Sequence, residues 1–202
     1  MSERTRLLLA TGNAHKVAEI QAILGPAWQV EAEDPGVEET GETFEENALM
    51  KARALAAAAG SLAVADDSGI EIDALGGAPG VRSARWASEG DWIPLVLREL
   101  DGVPPTGRGC RYVCAAAAVW PRGREEVVRG TVEGVVPPAP RGTGGFGYDP
   151  VMVPVEGDGR TFAEMTDEEK HALSHRGRAF RALAERLGAP PPTSPPPGAP
   201  RG

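Results

Sequence analysis

A short apolar run, a glycine turn and then apolar residues at helical spacing open this chain. That order constrains the fold more than any other feature. Leu7-Leu8-Leu9-Ala10 reads as a strand and Gly12 as the turn that follows it. Val17, Ile20, Ile23 and Leu24 then recur along one helix face until Gly25-Pro26 stops the run. Residues 27–32 predict a second strand, so the opening is a βαβ unit.

Further along, 33–42 is an acidic loop with Pro35, Gly36 and Gly41. Thr43 and Glu46 form a capping box for an alanine-rich helix that ends at Gly60. Leu62 to Ala65 predicts a short buried strand that delivers Asp66-Asp67-Ser68-Gly69 at its end. Residues 76–90, rich in glycine and small side chains, read as loop, and Asp91 as the cap of a helix to about Leu100. Tyr112–Trp120 and Glu125–Val136 predict two strands joined at Pro121-Arg122-Gly123, a hairpin. A glycine-rich loop covers 142–149. Thr166 and Glu169 make another capping box, and a last amphipathic helix ends at Gly188. Residues 189–202 are proline-rich, have nothing to bury, and are expected to be disordered or extended. The reading is an α/β chain with a mixed sheet: one domain over 1–188 and a tail beyond it.

Apolar residues make up 41% of the chain, enough for a packed interior. The net charge near −8 repels phosphate backbones, so nucleic acid is not expected as a partner. A small anion would need cations gathered in one place. No run of about 18 apolar residues exists to span a bilayer, and Leu7–Ala10 is too brief for a signal peptide. Cys110 and Cys114, four apart in a β-rich stretch, are too far apart to bridge. A cytoplasmic protein without a membrane partner is the expectation.

Four segments place polar groups where strands meet turns or helices start. Thr11-Gly12-Asn13-Ala14-His15-Lys16 pairs helix N-terminal amides with a lysine, an anion site in principle, although a plain strand-to-helix turn would look the same. Asp66-Asp67 suits a hard cation or a general base, or else a polar turn. The Asp-Ser-Gly triplet also occurs in aspartic proteases, but those need two such loops, and the βαβ surroundings speak against them. Gly142-Thr143-Gly144-Gly145-Phe146-Gly147-Tyr148-Asp149-Pro150 contains G-x-G-x-x-G. Proline-rich sequence precedes it and Tyr-Asp-Pro follows where a helix should begin, so the dinucleotide reading fails. Phe146 is left either to stack a flat base or to anchor the loop. In Lys170-His171-Ala172-Leu173-Ser174-His175-Arg176, the two histidines are spaced to share a helix face. With three histidines in the chain, zinc lacks ligands, and an anion or a solvated face is the better reading.

The set says more than its members. Thr-Gly-Asn-x-x-Lys, Glu-Glu-Thr-Gly-x-Thr-Phe-x-Glu-Asn-Ala with Lys-Ala-Arg after it, Asp-Asp-Ser-Gly, Leu-Gly-Gly-Ala-Pro-Gly-Val, Gly-Thr-Gly-Gly-Phe-Gly-Tyr-Asp-Pro and Glu-Lys-x-x-x-Ser-His-Arg-Gly stand in one order over residues 5–188. Together they resemble the bacterial branch of the inosine triphosphate pyrophosphatase family. The departures are the tail and a shorter stretch around 88–92, and neither touches a motif.

The resemblance implies an elongated mixed sheet flanked by helices, two lobes with a central active-site cleft, and a homodimer. It implies Mg2+-dependent hydrolysis of non-standard purine nucleoside triphosphates to the monophosphate and pyrophosphate. Glu38 and Asp67 match the family's magnesium carboxylates, and Asp67 its general base. Thr11, Gly12, Asn13, Ala14, His15, Lys16, Lys51 and Ser68 fall on the triphosphate side. Phe146, Gly147, Tyr148, Asp149, Lys170, His175 and Arg176 fall on the base side. Two other readings fit less well. A nucleotide sensor would have no use for the base, and a Maf-like pyrophosphatase fits the Ser-His-Arg segment poorly.

Overall fold

The computed structural model describes residues 5–88 and 91–188. The proline-rich tail lies outside them, as do two residues of the shortened stretch around 88–92. Six strands form one mixed sheet in the order β2-β1-β3-β4-β5-β6, with helices flanking it. The strands are β1 (Thr5–Ala10), β2 (Trp28–Glu33), β3 (Ala63–Ile72), β4 (Gly109–Val119), β5 (Glu125–Val135) and β6 (Val153–Pro154). The helices are α1 (Ala14–Leu24), α2 (Phe44–Ala59), α3 (Trp92–Glu99), α4 (Asp167–Leu173) and α5 (His175–Arg186).

The opening is the expected βαβ unit, with β1 parallel to β2 in the register Leu7↔Val30 and parallel to β3 through Leu9↔Val64. The hairpin is present too: the Trp120 amide donates to the Arg124 carbonyl at 2.9 Å across the turn. Helix α2 starts on the expected capping box, where Thr43 Oγ1 accepts from the Glu46 amide at 3.2 Å. It ends on Gly60, whose φ of 62° is a conformation that suits glycine.

The chain divides into two compact units. The first holds residues up to 67, 114–130 and 176 onward, and the second holds 68–113 and 131–175. In the first unit Leu7, Leu9, Ile20, Trp28, Phe180 and Leu183 pack into one core. In the second, Ile70, Ile72, Leu100, Tyr112, Met152 and Phe162 do the same.

Four expectations are corrected. The strand predicted to stop at Ala65 runs on to Ile72, so Asp66 and Asp67 sit inside β3 and not in a turn. Ile70 and Ile72, both fully buried around Glu71, continue the alternation that holds it extended. Residues 76–90 contain a 3-10 turn at Gly80–Arg85, preceded by another at Asp73–Leu75. Gly76 and Gly80, at φ 64° and 56°, accept backbone angles that other residues resist. Helix α3 starts where expected, but Asp91 makes no capping bond, because its backbone is helical where a cap must be extended. Finally, Ser174 breaks out of the helix (φ −64°, ψ 154°), placing His171 on α4 and His175 at the start of α5. They share no helix face, and among the described residues no group of three or more His, Cys, Asp or Glu is arranged to hold a metal.

Candidate active site

The first unit gathers charge. Asp66 is 1% exposed, and its Oδ2 receives the Lys16 ammonium at 3.0 Å and the Arg176 guanidinium at 3.4 Å through both Nε and Nη2. Arg176 also donates to Glu19 of α1, likewise buried. Lys51 reaches from α2 to the Asp66 carbonyl at 2.8 Å and to the Glu39 carboxylate at 2.5 Å. Burial disfavours a charged Asp66, but Lys16, Arg176 and Lys51 override it and hold the carboxyl well below the usual carboxylate range. Asp66, Asp67 and Glu39 together override the burial of Lys51 and raise its pKa.

Asp67, the next residue, behaves in the opposite way. Burial raises its pKa, and Glu39 adds repulsion. Lys51, a hydrogen bond from Asn47 Nδ2 at 2.9 Å and Lys16 offset this only in part. Adjacent residues of a strand point to opposite faces, which is how two neighbouring carboxyls come to different surroundings.

The loop before α1 is wired internally. Asn13 Oδ1 accepts from the amides of His15 at 2.9 Å and Lys16 at 3.3 Å, and the Asn13 amide donates to Thr11 Oγ1. The His15 and Lys16 amides are therefore taken up by the Asn13 cap. A Cβ at Gly12 would lie 2.7 Å from the Asp34 carboxylate and would turn that exposed side chain aside.

A divalent cation would meet oxygen donors here. Asp67 and Glu39 influence each other electrostatically, and Asp66 Oδ1 is buried without a hydrogen-bond partner among the described residues. Mg2+ asks for one or two carboxylates and takes the rest of its shell from phosphate and water. The residues fit a cation that arrives with a triphosphate. They do not form an all-protein cage. Glu38, the expected ligand beside Asp67, is exposed, and it is Glu39 that joins the Lys51 and Asp67 cluster.

The second unit gathers shape. Asp149 is 2% exposed, and both its oxygens are engaged. Oδ1 accepts from the Tyr112 hydroxyl at 3.2 Å, and Oδ2 from the Phe146 amide and the Lys170 ammonium, each at 2.8 Å. Lys170 Nζ lies 4.6 Å from the Phe146 ring centroid, a cation–π distance. The His175 ring packs 4.6 Å from that of Tyr112. Tyr148 is an anchor: its hydroxyl donates to the Ser83 carbonyl at 2.7 Å, and burial raises its pKa. Gly147, at φ 62°, turns the chain between the half-buried Phe146 and this anchor. Ser68 is half-buried where the chain enters the unit.

Phe146, Gly147, Tyr148, Asp149, Lys170 and His175 thus lie in one unit. Thr11 to Lys16, Lys51 and Asp67 lie in the other, and so does Arg176, which was grouped with the base side and sits instead on Glu19 and Asp66. Sequence reasoning missed Glu19, Glu39, Asn47, Tyr112 and Ser83. Only Glu39 and Asn47 lay inside a quoted motif. Glu19, one turn after Lys16 on α1, reads in sequence like any surface glutamate.

An α/β protein with two neighbouring carboxyls driven apart in pKa, flanked by lysines, is built to handle a phosphorylated ligand. Residues 7–186 match the model of the Ham1 family, and the chain belongs to it. It is 52% identical to the "dITP/XTP pyrophosphatase" of Symbiobacterium thermophilum, over 94% of this chain and 98% of that one. It is likewise 52% identical to the protein so named from Streptomyces coelicolor, over 89% and 95%. A HAM1 protein from Coxiella burnetii superposes with a TM-score of 0.80 at 37% identity, covering 91% of this chain and 98% of that one. A dITP/XTP pyrophosphatase from Mycobacterium abscessus gives 0.71 at 43% identity, covering 91% and 99%. Among the described residues no helix is long and apolar enough to cross a membrane.

Proposed function

We infer that this protein hydrolyses non-standard purine nucleoside triphosphates, those of inosine and xanthosine, to the monophosphate and pyrophosphate, and that it does so with Mg2+. The observation that carries the reading is the pair Asp66 and Asp67: one carboxyl held far down by three cations, the next raised by burial. Two titratable neighbours pushed in opposite directions mark an acid–base assignment. Asp66 stays ionised and anchors Lys16, while Asp67 has a basic oxygen available for a proton.

In the step proposed, a water oxygen bonds to the α-phosphorus as the bond from that phosphorus to the bridging oxygen breaks. Pyrophosphate leaves, and Asp67 takes the water's proton. Lys16 and Lys51 offset the negative charge of the triphosphate. Bound Mg2+, held by Asp67 with Glu38 or Glu39, would neutralise phosphate oxygens and polarise the α-phosphoryl group. Phe146 offers a face for the purine, and Lys170 and His175 offer donors toward a 6-oxo group. The 6-amino group of adenine would leave those donors unpaired, which discriminates strongly. We propose, from the family resemblance, that the enzyme works as a cytoplasmic homodimer.

The names of the relatives favour this over a Maf-like enzyme, and a sensor would not need the raised carboxyl of Asp67. The test is a panel of nucleoside triphosphates with Mg2+, measuring pyrophosphate and phosphate separately. Inosine or xanthosine triphosphate should lead and release pyrophosphate. Release of single phosphates, full activity in chelator, or a preference for pyrimidines would each overturn the reading.

A further inference from the structure

We propose that Glu19 is a positioning residue for triphosphate binding, acting on Lys16 through Arg176 and Asp66. The proposal rests on the reading of Lys16 as a phosphate contact. Four charges alternate along one chain of contacts in the first unit: Lys16 to Asp66, Asp66 to Arg176, and Arg176 to Glu19. Lys16 keeps 15% of its side chain exposed, whereas the side chains of the other three are between 0% and 4% exposed. The partly exposed ammonium thus stands at one end of a buried row, and Glu19 closes the other.

Glu19 is an expensive residue for its place. It sits on α1 immediately before Ile20, which packs in the core, and a buried ion pair is often matched or bettered in stability by apolar side chains of similar size. Its effect lies in how Arg176 is shared. Arg176 and Lys16 meet the same oxygen, Asp66 Oδ2. With Glu19 in place, one arm of the guanidinium is held back at Nη1. Without it, Asp66 is the carboxylate left to Arg176 in this row, so the guanidinium moves fully onto Oδ2 and competes with the ammonium there. Lys16 then loses its fixed position, three residues away from Glu19 on the same helix face.

The experiment is a double-mutant cycle in the full-length enzyme using Glu19→Gln and Lys16→Met. It reads kcat and KM for inosine triphosphate, and the inhibition constant of tripolyphosphate, which has phosphates and no base. Glu19→Gln alone should raise both KM and the tripolyphosphate constant by roughly tenfold, with a smaller change in kcat, as for residues of one ion-pair network. In the Lys16→Met background it should add less than about twofold, and Glu19→Asp should recover part of the loss. Equal costs in both backgrounds would reduce Glu19 to a structural residue and overturn the proposal while leaving Lys16 a phosphate contact. If Lys16→Met alone left KM and tripolyphosphate binding unchanged, the reading of Lys16 would fall first, and the proposal with it. Should Glu19→Gln not fold, Glu19→Asp carries the same cycle, with the same two outcomes deciding it.

Discussion

The two units hold their functional residues by different forces. In the first, Lys16, Lys51 and Arg176 stand against Asp66, Glu19 and Glu39, largely away from water, and charge sets the positions. In the second, the ion pair of Lys170 with Asp149 sits among rings and hydroxyls, and packing of Tyr112, Phe146, Tyr148 and His175 sets the positions. The first arrangement suits a ligand end that is all charge. The second suits one that is flat and mostly neutral. Changes of charge should therefore be felt most in the first unit, and changes of shape in the second.

The largest effect expected is on turnover. Asp67→Asn keeps the side chain's size and removes the basic oxygen, so the rate should fall by at least about 10²–10⁴-fold, the usual cost of losing a positioned general base. Binding of a non-hydrolysable triphosphate analogue should survive in part. Single-turnover kinetics and equilibrium binding separate the two. Near-normal turnover would transfer the role to another carboxyl.

Stability divides the same two neighbours. Asp66 has a lowered pKa, so its ionised form contributes stability that is present above the ordinary carboxyl value of 3.8 and is lost as pH falls through the folded value. Asp66→Asn leaves buried cations without a counter-ion and should cost about 3–5 kcal/mol at pH 7. The raised pKa of Asp67 works the other way: its contribution is present below 3.8 and lost as pH rises through the folded value. At pH 7 the metal-free Asp67→Asn protein should therefore melt above the parent, and Asp66→Asn well below it. Tm shifts of the same sign would break the comparison.

In the second unit the effects are smaller. Tyr148→Phe removes one buried hydrogen bond, to the Ser83 carbonyl, and should cost about 1 kcal/mol in stability with little change in base preference. His175→Ala should weaken inosine triphosphate more than adenosine triphosphate and narrow the ratio of their kcat/KM values. Equal losses for both would make His175 a packing residue on Tyr112. The smallest effect concerns the thiols. Burial pushes Cys110 up to about 12 and Cys114 further, so neither should react with a thiol reagent at pH 7 until the protein unfolds.

What the sequence showed and what it hid follow the same division. The βαβ opening, both α-helical capping boxes and the hairpin were legible because each is a local rule, such as Thr43 with Glu46 or Gly60 past a helix end. The course of β3 was not, because Asp66 to Gly69 looks like a turn until the cations that neutralise it are known, and these come from α1, α2 and α5. For the same reason Arg176 was grouped with its neighbour His175, although the two side chains take their partners from different units. Adjacency in sequence said nothing about which charge each would meet.

The measurement that tests the account most directly is the position of one oxygen atom. Inosine triphosphate is hydrolysed in ¹⁸O-labelled water with Mg2+, and both products are weighed by mass spectrometry. If Asp67 directs water to the α-phosphorus, the label should appear in the monophosphate and the pyrophosphate should carry none. Label in pyrophosphate, or in free phosphate, would place the attack on another phosphorus and contradict the account.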